Sequence, residues 1–442
     1  MRRRIGRRDF VGSAASAAIA PFIFGEKLGM AQGLNRRLPA GVSGEAFRTI
    51  KIGARYEVPT FSKEEFKRRW QALQRAMAPK NLDCVFIRDK VDLHYVTGVS
   101  GIMAEACICL LPPQGNPILI MPESKNMMYG YAYDVLPVPE LEVIPEPTKV
   151  STGTSIRKLK ELGLGKATIG IDHIQDLPYS VYTQLLKELP ETKLVDAGDI
   201  FVDCSKVKSP EEVEYCRKAV ENGEKALLAI ANAAKPGVTE RELLGACFGS
   251  LLSSGSDILD YVYYNTAHWP SPRAEGLAYP YVSVGTERKL QTGDIIDLEL
   301  YSSFCTYLSF VSEPIFLGKP PADLVKRVEI NKEVLRISSE LLRPGHSQKD
   351  IDDKVAEYLS SALGEKIVNS VDSAGRPSLI DYKDMTHGSS KLLNEIVPNQ
   401  VIAVAPLAFW DHGPNHLVAD TYLTTERAPV KLSKLPAEII VV

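Results

Sequence analysis

Two acids spaced by one residue, Asp297 and Glu299, lie in the run Gly293–Asp294–Ile295–Ile296–Asp297–Leu298–Glu299–Leu300, which reads as a buried strand entered through a Gly-Asp turn. Strand side chains alternate, so both acids face the same side. Carboxylates on a buried strand need a cation or a proton, which suits the pair to holding a cationic group or to acid–base work. Imidazole moves protons near neutral pH, and the chain has 7 histidines. His268 stands in Thr266–Ala267–His268–Trp269–Pro270, and His387 in Thr386–His387–Gly388–Ser389–Ser390. His412 and His416 belong to Trp410–Asp411–His412–Gly413–Pro414–Asn415–His416. With Asp420 they have an i, i+4, i+8 spacing, but Gly413 and Pro414 oppose the helix that a zinc site of that kind needs. A solvated polar loop, or a dyad in which Asp411 or Asp420 orients an imidazole, are the two readings left. Tyr281, Tyr301 and Tyr307 offer hydroxyls, or pack as core. Arg376, in Ala374–Gly375–Arg376–Pro377, either pairs with a substrate carboxylate or makes a surface salt bridge. His94 and His173 read as structural and His346 as a turn residue.

These residues need a scaffold. Apolar spacing predicts a helix over 66–77, a buried strand at 83–87, and a hairpin of 106–111 with 117–121 turned at Pro112–Pro113–Gln114–Gly115. A strand at 167–171, a helix over 178–189 and a strand at 193–195 complete an α/β domain. A second pattern opens at Lys208–Ser209–Pro210–Glu211–Glu212, where Ser209 caps a long helix, Pro210 suits its first turn and Glu212 completes a capping box. The run Lys235–Pro236–Gly237–Val238–Thr239–Glu240–Arg241–Glu242–Leu243 is echoed by Arg343–Pro344–Gly345–His346–Ser347–Gln348–Lys349–Asp350–Ile351. Each copy follows one helix and caps the next, so the second half is expected to be a pseudo-twofold repeat with its site between the copies.

A length of 442 residues accommodates two domains with large cores. A net charge of −3 gives no footprint for nucleic acid, and no apolar run beyond the N-terminus is long enough to span a membrane. Arg2, Arg3, Arg4, Arg7 and Arg8 precede a small-apolar stretch from Val11 to Phe24, and Arg7–Arg8–Asp9–Phe10–Val11 fits the twin-arginine export pattern. Residues 1–31 are therefore expected to be a signal peptide, 32–60 an extended arm, 61–203 the first domain and 204–442 the second. The 7 cysteines are odd in number, lack C-x-x-C spacing and sit mostly among apolar neighbours, so they read as buried free thiols.

Asp92–Leu93–His94–Tyr95–Val96–Thr97–Gly98, Lys206–Val207–Lys208–Ser209–Pro210–Glu211–Glu212, Pro236–Gly237–Val238–Thr239–Glu240, Leu290–Gln291–Thr292–Gly293–Asp294 and the ending Asp420–Thr421–Tyr422–Leu423–Thr424–Thr425–Glu426 occur in order over about residues 60 to 440. The run resembles the creatinase/prolidase/aminopeptidase P family. The resemblance implies an N-terminal three-layer α/β domain, a C-terminal α+β pita-bread domain with its internal repeat, and a homodimer. It also implies, in metal-dependent members, two divalent ions held by two aspartates, one histidine and two glutamates. Here the first aspartate falls on Glu299 or, with a slip, Asp297. The second falls on Phe310, or else Ser309 or Ser312, and the two glutamates fall on Ala405 and Ala419. Hard dications held close together need several carboxylates, so no metal and no other cofactor is expected. Creatinase is the family precedent for a metal-free site with a histidine base.

The expectation is an exported, metal-independent, creatinase-like hydrolase that cleaves a C–N bond in a small polar substrate or short peptide. His387 is its first candidate base and His268 or His416 the next. Asp297 and Glu299 would hold a cationic group, Tyr281 would donate to developing negative charge, and Arg376, Asp411 and His412 would contact substrate. A metal-dependent Xaa-Pro aminopeptidase or dipeptidase, a non-catalytic binding member of the fold, and a lyase on a small charged compound are the alternatives.

Overall fold

The computed structural model describes residues 49–52, 56–99, 101–122, 141–146, 152–257, 270–271, 287–296, 300–363, 380–384, 395–406, 418–435 and 439–442. A short antiparallel pair, β1 (Thr49–Ile52) and β2 (Tyr56–Pro59), leads into the first domain. There α1 (Lys63–Met77), β3 (Cys84–Ile87), α2 (Lys90–Thr97), β4 (Ile108–Leu111), β5 (Ile118–Pro122), β6 (Glu142–Glu146), α3 (Thr152–Glu161), β7 (Thr168–Ile171), α4 (Tyr179–Glu188), β8 (Lys193–Asp196) and α5 (Gly198–Ser205) follow in order. The strands form one six-stranded sheet, ordered β6-β5-β4-β3-β7-β8. β3, β7 and β8 run parallel, and the β4–β5 hairpin is antiparallel as its turn residues require. Cys84 and Phe86 of β3 pack with Ile156 and Leu159 of α3 and with Val181 and Leu185 of α4. Val85 and Ile87, equally buried, alternate to the opposite face. Both faces are thus covered, the arrangement a largely parallel sheet requires.

The second domain opens with α6 (Pro210–Ala233) and α7 (Glu240–Ser253). Ser209 accepts from the Glu212 amide while Glu212 accepts from the Ser209 amide, and Thr239 and Glu242 repeat the exchange at α7. Then come β9 (Pro270–Ser271), β10 (Ile295–Ile296), the hairpin β11 (Tyr301–Phe304) and β12 (Tyr307–Phe310), β13 (Ile315–Phe316), α8 (Ala322–Glu340) and α9 (Gln348–Leu363). Ser347 and Asp350 cap α9 by the same reciprocal bonds, so the repeated Pro-Gly turn does the same work twice. β14 (Ile380–Asp384), β15 (Val401–Pro406), β16 (Asp420–Leu423) and β17 (Val430–Lys431) form an antiparallel sheet in sequence order, and β18 (Ile440–Val441) lies parallel to β13. Ile402, Val404 and Tyr422 pack on Ile330, Val334, Ile351 and Val355 of α8 and α9.

The domains share a buried polar seam. Arg69 of α1 is fully buried and donates to Glu65 (2.7 Å), the Tyr95 carbonyl (3.2 Å) and the Tyr307 hydroxyl (3.0 Å). Glu212 of α6 accepts from Tyr307 (2.8 Å) and Arg68 (2.9 Å) and lies 3.5 Å from Arg69. Burial alone would raise the Glu65 carboxyl, but its bonds to Arg68 and Arg69 outweigh this and hold it below the usual range.

The cysteines are free thiols, five buried and Cys204 and Cys305 intermediate. No helix among the described residues is long and apolar enough to cross a membrane.

Candidate functional site

Alternation fixes which side chains the second domain turns inward. In the β11–β12 hairpin, Ser302 and Ser309 share a 2.6 Å hydrogen bond, and Ser302 donates to the Ala219 carbonyl of α6 at 2.7 Å. Tyr307 and Phe304 meet Glu212 and Tyr215 of the same helix. The other face of the hairpin therefore carries Tyr301 and Phe310, which are directly opposite in the register and stack at 4.3 Å. In the second sheet Ile402, Val404 and Tyr422 point to α8 and α9, so Ala403, Ala405 and Thr421 point the other way. Thr421 accepts from the Phe310 amide and donates to its carbonyl, joining β16 to β12. Ser312 pairs with Ala419 by two backbone bonds. Ala405 lies one step along β15 from the Val404–Asp420 pair, toward Ala419.

At Phe310, Ala405 and Ala419, three positions where the resemblance expects oxygen, this surface is apolar. Phe310 is 2% exposed, Ala405 0% and Ala419 3%. None of the three can donate an electron pair, and the Phe310 ring is held against Tyr301. Ser309 points to α6 and is engaged there. Among the described residues these positions do not fit a pair of divalent ions.

Behind this surface, on the α8 side, lies a charged layer. Asp420 accepts from Ser433 (2.6 Å), Lys431 (2.9 Å) and the Thr421 amide (2.7 Å), so its described contacts are with these groups and not with an imidazole. Burial raises its carboxyl above the usual range against the pull of Lys431. Glu313 lies 3.3 Å from Lys332 of α8, and burial pushes it up to about 7.

His387, His268, His416, Tyr281, Asp297, Glu299, Arg376, Asp411 and His412 all lie outside the described residues. Of the other histidines, His94 is buried in α2, where burial and then the Arg69 charge lower its ring to about 4. The buried seam on Arg69 and Glu212 has no pattern in the sequence that marks it. The Ser209–Glu212 capping box places Glu212 at a helix start but does not reveal a second partner across the domains.

Two family models match: the Creatinase/Prolidase N-terminal domain over residues 69–204 and Metallopeptidase family M24 over residues 214–426. The Xaa-Pro dipeptidase of Pyrococcus horikoshii is 24% identical over 379 residues, covering 82% of this chain and 96% of that relative. The creatinase of a Bacillus species is 24% identical over 320 residues, covering 71% and 75%. The solved prolidase of Pyrococcus horikoshii superposes with a TM-score of 0.68 at 19% identity, over 84% of this chain and 99% of that one. The fold is that of an N-terminal α/β domain followed by a pita-bread domain. The chain belongs to the creatinase/prolidase/aminopeptidase P family and is a hydrolase of that family.

Proposed function

We propose that this hydrolase cleaves a C–N bond in a small polar compound without a pair of divalent ions. The observation that carries the reading is the buried Phe310, Ala405 and Ala419 on the inward faces of neighbouring strands, where a dinuclear centre would need carboxylates. Proton transfer then falls to imidazole, with His387 as the first candidate base and His268 or His416 next. Asp297 and Glu299 are proposed to hold a cationic group, and Tyr281 to donate to developing negative charge. The leader at Arg7–Arg8 supports export, and family kinship supports a homodimer.

A second reading is hydrolysis of Xaa-Pro dipeptides, favoured by the near-complete coverage of the Pyrococcus dipeptidase. One experiment separates the two. Protein stripped with a chelator, then assayed on creatine-like guanidino compounds and on Xaa-Pro dipeptides with and without added Mn2+, should keep its turnover. Activity that vanishes on stripping and returns with Mn2+ overturns the metal-free reading.

A further inference from the structure

We infer that the N-terminal domain carries a divalent-metal site of its own, formed by Asp89, Asp92 and His173. One ligand atom from each lies within 4.8 Å of the other two, close enough that side-chain rotation brings all three to the roughly 2.0–2.2 Å at which such an ion is held. Two carboxylates with one imidazole form a mixed oxygen and nitrogen set that suits a first-row ion such as Zn2+ or Co2+. Asp92 is buried on α2, with its Oδ2 3.3 Å from His173 Nε2, whereas His173 and Asp89 reach solvent and leave an entry path. The ion would sit between the imidazole and the Asp92 carboxylate.

The surroundings fix the ligands from behind. Asp172 is 2% exposed, and its carboxylate accepts from the amides of Arg88 (2.6 Å), Asp89 (2.5 Å) and His173 (3.0 Å). This one side chain therefore ties the segment after β3 to the segment after β7. Asp89 caps α2 through Oδ1, accepting from Val91 and Asp92, and a carboxylate retains a second oxygen for an ion. A Cβ built on Gly198 would come 2.4 Å from the Asp172 carbonyl and 3.2 Å from His173 Nδ1, so the start of α5 presses on the imidazole and limits its rotation. Gln175 lies 3.5 Å from the same Nδ1, where its amide can orient the ring as the outer partner of a ligating histidine does.

The location points the same way independently of side-chain chemistry. Asp89 and His173 follow the carboxyl ends of parallel strands β3 and β7. The chain leaves β3 for β4 on one side of the sheet order and leaves β7 for β8 on the other. The crevice at such a divergence is where open α/β sheets receive ligands.

The test is Zn2+ titration of chelator-stripped full-length protein by calorimetry, with the visible absorption of Co2+ as a second readout. One ion per chain is expected, with affinity falling at least about tenfold in both Asp92→Asn and His173→Gln. Far-ultraviolet circular dichroism of the stripped variants confirms that they are folded, and Asp89→Asn, at a less buried position, serves as a third variant. No uptake by the wild type overturns the site, and so does uptake that survives all three substitutions unchanged. Surviving uptake would also count against a metal-free second domain, whereas uptake lost in the variants leaves that reading intact.

Discussion

Replacing Phe310 with aspartate restores an acid at a position where metal-dependent relatives are expected to carry one. Phe310 is 2% exposed and stacked on Tyr301. Removing such a ring costs about 3–5 kcal/mol through lost transfer energy and the cavity left behind. The aromatic pair adds about 1 kcal/mol. An aspartate there is also desolvated, with the alanines 405 and 419 nearby on the same inward surface. Tyr301 and the two alanines named around it offer no cation, so it ionises without a partner or takes up a proton, each at a further cost of several kcal/mol. The total matches much of the roughly 5–15 kcal/mol that holds a domain folded. Phe310→Asp should therefore melt far below the wild type, while Phe310→Leu, which keeps the volume apolar, loses only about 1–2 kcal/mol. Urea denaturation followed by tryptophan fluorescence, with Mn2+ or with chelator, measures both. Phe310→Asp within about 1 kcal/mol of wild type, or restored by Mn2+, would refute the view that the cradle lacks the oxygens for an ion.

Arg69→Met should destabilise by about 3 kcal/mol, because Glu65 and Glu212 stay buried, although Arg68 still reaches both. A loss below about 1 kcal/mol in a denaturant titration would show that the seam is not held by Arg69. His94 has a folded pKa of about 4, below its unfolded value of 6.5. Its contribution is thus complete above pH 6.5 and is lost as pH falls toward 4, on the order of 3 kcal/mol across that window. The wild-type stability minus that of His94→Leu, measured from pH 7 to pH 4.5, should shrink with acid, and a flat difference contradicts the assignment. Gly223→Ala would gain about 1 kcal/mol from helix propensity. However, its Cβ would sit 2.6 Å from Ser302 Oγ, which is bonded on two sides. Overpacking of about 1–3 kcal/mol should win, and Ser302→Gly in the same chain should recover part of the loss.

Local chemistry made the scaffold readable. The capping pairs Ser209–Glu212, Thr239–Glu242 and Ser347–Asp350 needed only a hydroxyl and an acid three residues on, and each forms as expected. The β4–β5 turn and the buried β3 run were equally local. Apolar residues where ligands were expected could be read at Phe310, Ala405 and Ala419, but their inward direction needed the sheet register and the helices behind it. The chemistry proposed for the nine site candidates rests on sequence alone, since all nine fall outside the described residues. Asp92 and His173 are 81 positions apart by their numbering, and only the parallel pairing of β3 with β7 brings them together.

The seam around Arg69 also bears on how such a chain can change over generations. A first domain traded in from a relative would have to bring its own cation to Glu212, and a traded second domain would have to bring an acceptor to Arg69. A chimaera that fails this leaves Glu212 buried without its cation, whereas Arg69 keeps Glu65 within its own domain. A change on one side of that junction thus calls for a matching change on the other.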